Sequence, residues 1–207
     1  MEIQTMSWAF VAALLFLPAT GCGEMAYRQM NDPSRDAWQK PKLVIDKLTI
    51  SPGSQVADLG AGGGYFTWYL AGAVGPEGQV YAVDIDETAL RMIDQEMARR
   101  GVKNVKTVRA DPHDPHLPEA VDLVFSCDTY HHMKDRVAYF GALVRYLRPG
   151  ARVAVLDFHP HGLFSGVLGH GTAKEDVRRE MEAAGYRLVN DYDLIEDQHF
   201  QIFTRQE

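Results

Sequence analysis

The chain has 207 residues, 46% of them hydrophobic and 24% charged, the composition of an ordinary globular chain long enough for one domain with a sizeable core. Its formal net charge of −7 argues against a broad phosphate-binding surface, so no nucleic-acid partner is expected and a small-molecule substrate is preferred. Cys22 and Cys127 are the only cysteines and sit in unlike surroundings, so the core is expected to hold without a disulfide.

From Trp8 to Leu17 the sequence reads WAFVAALLFL, too short to cross a bilayer alone but of the right length for a signal-peptide core. Ala19-Thr20-Gly21-Cys22 then supplies small residues before a cysteine, which resembles a bacterial lipoprotein signal with Cys22 as the lipid-bearing residue. Glu2 without any Lys or Arg ahead of the run, and Ala19 where Leu is usual, depart from that pattern. The expected division is a signal or anchor segment at 1–23 and one domain at 24–207, exported or attached to a membrane. An uncleaved anchor, or a start at Met25 giving a cytoplasmic protein, are the alternatives. The sequence carries no expectation for the oligomeric state.

After a polar segment from Glu24 to Pro41, with a turn at Asn31-Asp32-Pro33-Ser34, apolar strand-like runs alternate with helical patterns, and that alternation implies a parallel sheet. Strands are predicted at Val56 to Leu59, Val80 to Asp84, Val105 to Arg109, Val121 to Ser126 and Val153 to Phe158. Helices are predicted at Tyr65 to Ala73, Thr88 to Arg100, with Thr88 as cap and Gly101 as stop, and Val137 to Leu147. A last helix at Lys174 to Ala184 precedes a terminal pair of strands, Arg187 to Leu194 and His199 to Thr204.

The strand at Val56 runs straight into Asp58-Leu59-Gly60-Ala61-Gly62-Gly63-Gly64-Tyr65 and then a helix. Glycines there let a ligand approach backbone. A dinucleotide fingerprint would need a third glycine where Tyr65 stands, and no P-loop pattern is nearby. What remains, Asp58, Gly60, Gly62 and Gly64, fits D-x-G-x-G-x-G. Asp84, followed by Ile85 and Asp86, ends the second strand, where a carboxylate can accept from both hydroxyls of a ribose. Arg109-Ala110-Asp111 ends the third, the segment Cys127-Asp128-Thr129-Tyr130-His131-His132-Met133 follows the fourth, and Leu147-Arg148-Pro149-Gly150-Ala151 precedes the fifth.

Taken together and in order, these motifs resemble those of class I S-adenosylmethionine-dependent methyltransferases, over roughly Asp36 to Phe203; Ala151 replaces the last glycine of the family's L-x-P-G-G turn. The resemblance implies a doubly wound α/β fold, with a mostly parallel seven-stranded sheet whose last strand is antiparallel. It implies S-adenosylmethionine as methyl donor, held by Asp58, Gly60, Gly62, Gly64, Asp84 and Ile85. It further implies that Asp111, or its competitor Asp114, accepts from the adenine amino group, and that Asp128 either lines the methionine end or caps its own turn.

Methyl transfer from a sulfonium needs an aligned nucleophile and, for a hydroxyl or thiol acceptor, a base; Tyr130, His131 and His132 are the candidates. The Gly- and His-rich segment from His159 to Gly171 reads as a mobile loop near the substrate. Together with His113 and His116 it fits no compact zinc spacing, so no metal is expected. A non-catalytic nucleoside-binding module and a dehydrogenase are the competing readings.

Overall fold

The computed structural model describes residues 22–160 and 171–206. The predicted signal or anchor run and most of the predicted His-rich loop therefore lie outside the described residues. No helix among the described residues is long and apolar enough to cross a membrane.

Three helices come first: α1 (Cys22–Met30), α2 (Arg35–Gln39) and α3 (Pro41–Leu48). The alternating part follows, with β1 (Gln55–Leu59), α4 (Tyr65–Val74), β2 (Gln79–Asp84), α5 (Glu87–Arg99), β3 (Val105–Arg109) and β4 (Val121–Cys127). It continues through α6 (Arg136–Leu143), β5 (Leu147–Phe158), α7 (Lys174–Ala183), β6 (Tyr186–Ile195) and β7 (Gln198–Arg205). The seven strands form one sheet in the order β3-β2-β1-β4-β5-β7-β6, in which β7 runs antiparallel to both β5 and β6. This is the predicted doubly wound sheet.

The central strands β1, β2, β4 and β5 are mainly buried on both faces because helices cover both. Along β5, Val153 and Val155 pack with Tyr139, Phe140 and Val177 of α6 and α7, while Ala154 and Leu156 pack with Val44, Phe66 and Leu70 of α3 and α4. Helix α5 lies on the α3/α4 face, with Ile93 and Met97 on Ala82.

Several boundaries differ from the sequence reading for identifiable reasons. The predicted turn at Leu147–Ala151 is a strand irregularity: Leu147 already pairs with Val121, and the register shifts before Arg152 pairs with Leu123. Gly150 absorbs that shift at a φ of 79°. The helix before it accordingly ends at Leu143. Helix α5 is capped by Asp86, whose side chain accepts from the Thr88 N–H at 2.7 Å, so Thr88 supplies the donor and not the cap. The polar segment ahead of Pro41 holds α1 and α2, on either side of the predicted turn at Asn31 to Ser34.

Candidate active site

The chain leaves β1 through Gly60, Gly62 and Gly64, with φ of 73°, 53° and 86°, the left-handed region that glycine enters without steric cost. The Gly60 and Ala61 N–H groups donate to the Val83 carbonyl at 2.8 and 3.0 Å, which ties the turn to β2. A Cβ at Gly60 would lie 2.3 Å from the Thr129 side chain, and one at Gly64 would lie 2.9 Å from Ile93. At Gly62 a Cβ would meet only the Tyr27 ring, 3.9 Å away. Gly60 and Gly64 are thus required by packing, whereas Gly62 leaves its backbone open to a ligand.

Asp84 stands at the end of β2 against that opening. Its Oδ2 accepts from the Gly62 N–H at 2.8 Å and its Oδ1 from the Asp86 N–H at 2.9 Å. A carboxylate offers about four lone-pair sites, so capacity remains for the two hydroxyls of a ribose. Ile85 beside it is 55% exposed, an apolar side chain left uncovered at the sheet edge.

Asp58, by contrast, is 2% exposed and lies beneath the turn, accepting from Thr67 Oγ1 at 2.6 Å. Burial pushes its carboxyl up to about 7. It shapes the glycine turn from below and has no face toward the opening.

At the end of β3, Asp111 accepts from the N–H groups of His113 and Asp114 at 2.7 and 2.9 Å, and its Oδ2 lies 2.9 Å from His116 Nε2. Asp114 in turn accepts from Tyr146 at 2.8 Å and pairs with Arg145. Both carboxylates are built into their own loop, whose Ala110 N–H donates to the Asp84 carbonyl at 3.0 Å.

The segment after β4 divides its residues between structure and site. Tyr130 is fully buried; its hydroxyl donates to Glu180 of α7 at 2.8 Å, and burial raises its pKa. The structure removes it from the candidate bases. Asp128, held at a φ of 54°, is mostly buried; it accepts from Arg35 at 2.8 Å, Gln39 at 3.1 Å and Gln198. It anchors α2 to the sheet, and this is its role in place of a turn cap. Cys127 beside it is a free thiol raised by burial, with Gln39 Nε2 at 3.2 Å.

His131 and His132 occupy the short turn Tyr130–His132, their ring centroids 4.0 Å apart. His132 is exposed. The His131 side chain is only 7% exposed and its Nδ1 lies 2.6 Å from Oδ1 of the fully buried Asp157 on β5. Thr129, two residues earlier, donates to the Gly60 carbonyl at 3.2 Å, so the histidine turn abuts the glycine turn. Among the described residues no cluster of three or more His, Cys, Asp or Glu is arranged to hold a metal.

Helix α1 lies over this edge. The Tyr27 hydroxyl donates to Asp86 Oδ2 at 2.8 Å, and the Asn31 amide donates to the Gly63 carbonyl. These contacts, and Asp157, are absent from the sequence reading. The signal for Asp157 was present, a carboxylate closing the otherwise apolar run Val153 to Phe158; the contacts of α1 and α2 have no spacing that marks them.

Residues 56–150 match a family described as a methyltransferase domain. Over 153 residues the chain is 29% identical to an arsenite methyltransferase of Halobacterium salinarum, covering 68% of this chain and 39% of that protein. Over 126 residues it is 30% identical to a ubiquinone/menaquinone biosynthesis C-methyltransferase of Ectopseudomonas mendocina, covering 58% and 48%. A solved S-adenosylmethionine-dependent methyltransferase of Aquifex aeolicus superposes with a TM-score of 0.78 at 24% identity, covering 86% of this chain and 96% of that one.

Residues 56–150 match a methyltransferase domain, in a chain whose fold is that of the class I methyltransferases.

The chain spans less than half the length of these two curated methyltransferases. The methyl donor of this class fits the residues present. Gly62 offers open backbone where a side chain would intrude, and Asp84 keeps acceptor capacity beside it. Gly60, Gly64 and Asp58 give the methyltransferase turn its shape, and Gly62, Asp84 and Ile85 are the residues it presents.

Proposed function

We propose that this methyltransferase domain transfers a methyl group from S-adenosylmethionine to a small-molecule acceptor. The observation that carries this reading is the Asp84 carboxylate bonded to the Gly62 N–H at the open point of the glycine turn. In this reading Asp84 takes the ribose hydroxyls, and the adenine packs on Ile85 beside the acidic loop of Asp111. The donor supplies an activated methyl group; the protein's task is to align an acceptor and keep water out.

The net charge of −7 supports a small acceptor over a nucleic acid. The two curated relatives are named for arsenite and for quinone biosynthesis. Arsenite is soft and thiophilic and calls for thiolates. This chain has two cysteines, and the Cys127 thiol is raised by burial, which supports an oxygen or carbon acceptor.

The run from Trp8 to Leu17 and Cys22 supports export or membrane attachment. Cell fractionation of Cys22→Ser tests the lipid form, and partition unchanged from wild type would contradict it.

Turnover is tested by incubating the chain with S-adenosylmethionine and a panel of phenolic, enolic and thiol acceptors and arsenite while measuring S-adenosylhomocysteine. Product with a phenolic or enolic acceptor is expected; product with arsenite alone would overturn the acceptor assignment.

A further inference from the structure

The turn after β1 holds four glycines, of which the D-x-G-x-G-x-G pattern uses Gly60, Gly62 and Gly64. Gly63 stands outside the pattern, and unlike the other three it does not enter the left-handed region. Its reason is a neighbour: a Cβ there would lie 2.7 to 2.9 Å from the Asn31 carboxamide. Asn31, which follows α1, reaches the turn and donates its amide N–H to the Gly63 carbonyl. Only the nitrogen end of a carboxamide can donate to a carbonyl oxygen, so this bond also fixes which end is Oδ1. That oxygen is buried and has no hydrogen-bond partner. A buried acceptor left unmet is costly, and this one adjoins the turn that faces the methyl donor.

Tyr27, four residues earlier and on the same face of α1, meets the same opening. Its ring lies 3.9 Å from where a Gly62 Cβ would stand, and its hydroxyl donates to Asp86 at 2.8 Å. The surroundings are acidic, since Asp84 and Asp86 both act on Tyr27. Arg109 acts on Asp86, while Arg35 spends its charge on Asp128 at 2.8 Å. An ammonium answers both features at once, bringing N–H donors to the amide oxygen and positive charge to the acidic side.

We infer that Asn31 is a donor-binding residue whose carboxamide oxygen accepts from the α-ammonium of S-adenosylmethionine. The inference rests on the methyltransferase reading above and deepens it. With the ribose hydroxyls on Asp84 and the adenine on Ile85, the ammonium carries the N–H groups of the molecule that are left for the Gly63 side of the turn. Asn31 lies ahead of the matched residues 56–150, so the domain match does not include it. Gly63 keeps free the space in which its amide sits.

The test is calorimetric titration of the full chain and of Asn31→Ala with S-adenosylmethionine, S-adenosylhomocysteine and 5′-methylthioadenosine. The first two carry the ammonium; the third lacks the amino-acid end but keeps ribose and adenine. Asn31→Ala is expected to weaken the first two at least about tenfold, the range of one hydrogen bond to a charged group, and to leave the third within about twofold. Gly63→Ala, which keeps Asn31 but drives its amide off the turn, should show the same selectivity, and it decides alone if Asn31→Ala does not fold. Equal weakening of all three ligands would make Asn31 a structural support, and no weakening would leave Oδ1 to water. Weakening of S-adenosylmethionine alone would place Asn31 at the sulfonium. Each of these overturns the inference, whereas failure of the wild type to bind any of the three would overturn the methyltransferase reading beneath it.

Discussion

Asp84, the last residue of β2, accepts a hydrogen bond from the Gly62 N–H at 2.8 Å, so the carboxylate that ends one strand holds the turn that leaves its neighbour. The same bond aims the carboxylate at the open side of that turn. Replacing Asp84 by Ala therefore removes a ribose acceptor and a turn contact together. Affinity for S-adenosylmethionine, measured by calorimetry, should fall by about 2 kcal/mol, the loss of a charge-assisted pair of hydrogen bonds. Unchanged affinity would contradict the assignment.

The glycines of the turn separate into two classes by what a methyl group would meet. Gly60→Ala forces a Cβ within 2.3 Å of Thr129 and should lower stability by at least about 2 kcal/mol in denaturant titrations. Gly62→Ala meets only the Tyr27 ring, in ordinary contact at 3.9 Å, at a φ of 53° and should cost only about 1 kcal/mol of backbone strain while weakening donor binding at least about tenfold. Equal stability losses at the two positions would show that the opening at Gly62 is illusory.

Much of this arrangement is legible in the sequence because each piece is local. A short apolar run entering glycines, a carboxylate closing the next run, and Gly101 after a periodic helix need no knowledge of the rest of the chain. What the sequence conceals depends on distant partners. Asp58 sits inside the most recognisable motif, yet its role is set by Thr67 beneath the turn. Tyr130 adjoins the histidine pair, and only the docking of α7 shows its hydroxyl bound to Glu180. Arg35 and Gln39 lie on a five-residue helix that no periodicity reveals and reach Asp128 across 93 and 89 positions of sequence.

Tyr130→Phe should leave turnover within about twofold of wild type. It removes one hydrogen bond to a carboxylate that Arg136 still holds, so the unfolding free energy should fall by about 1 kcal/mol. Steady-state kinetics and chemical denaturation check this together; a hundredfold loss of kcat without a change in stability would return Tyr130 to the chemistry.

Asp58 supplies a pH dependence of stability. Its folded carboxyl titrates near 7, above the ordinary value of 3.8, because of burial. The folded state thus binds a proton more tightly than the unfolded one, so this contribution is complete below about 4 and is lost as pH rises through 7. Asp58→Asn has no proton to lose. Its melting temperature relative to wild type should rise between pH 5 and pH 8, and a constant difference across that range would refute the assignment.

The central claim, that the glycine turn and Asp84 form a methyl-donor site, is tested most directly by calorimetric titration of the purified chain with S-adenosylmethionine and, separately, with NAD. The account predicts saturable binding of S-adenosylmethionine that Asp84→Ala weakens, and none of NAD. Binding of NAD alone, or of neither, would contradict it.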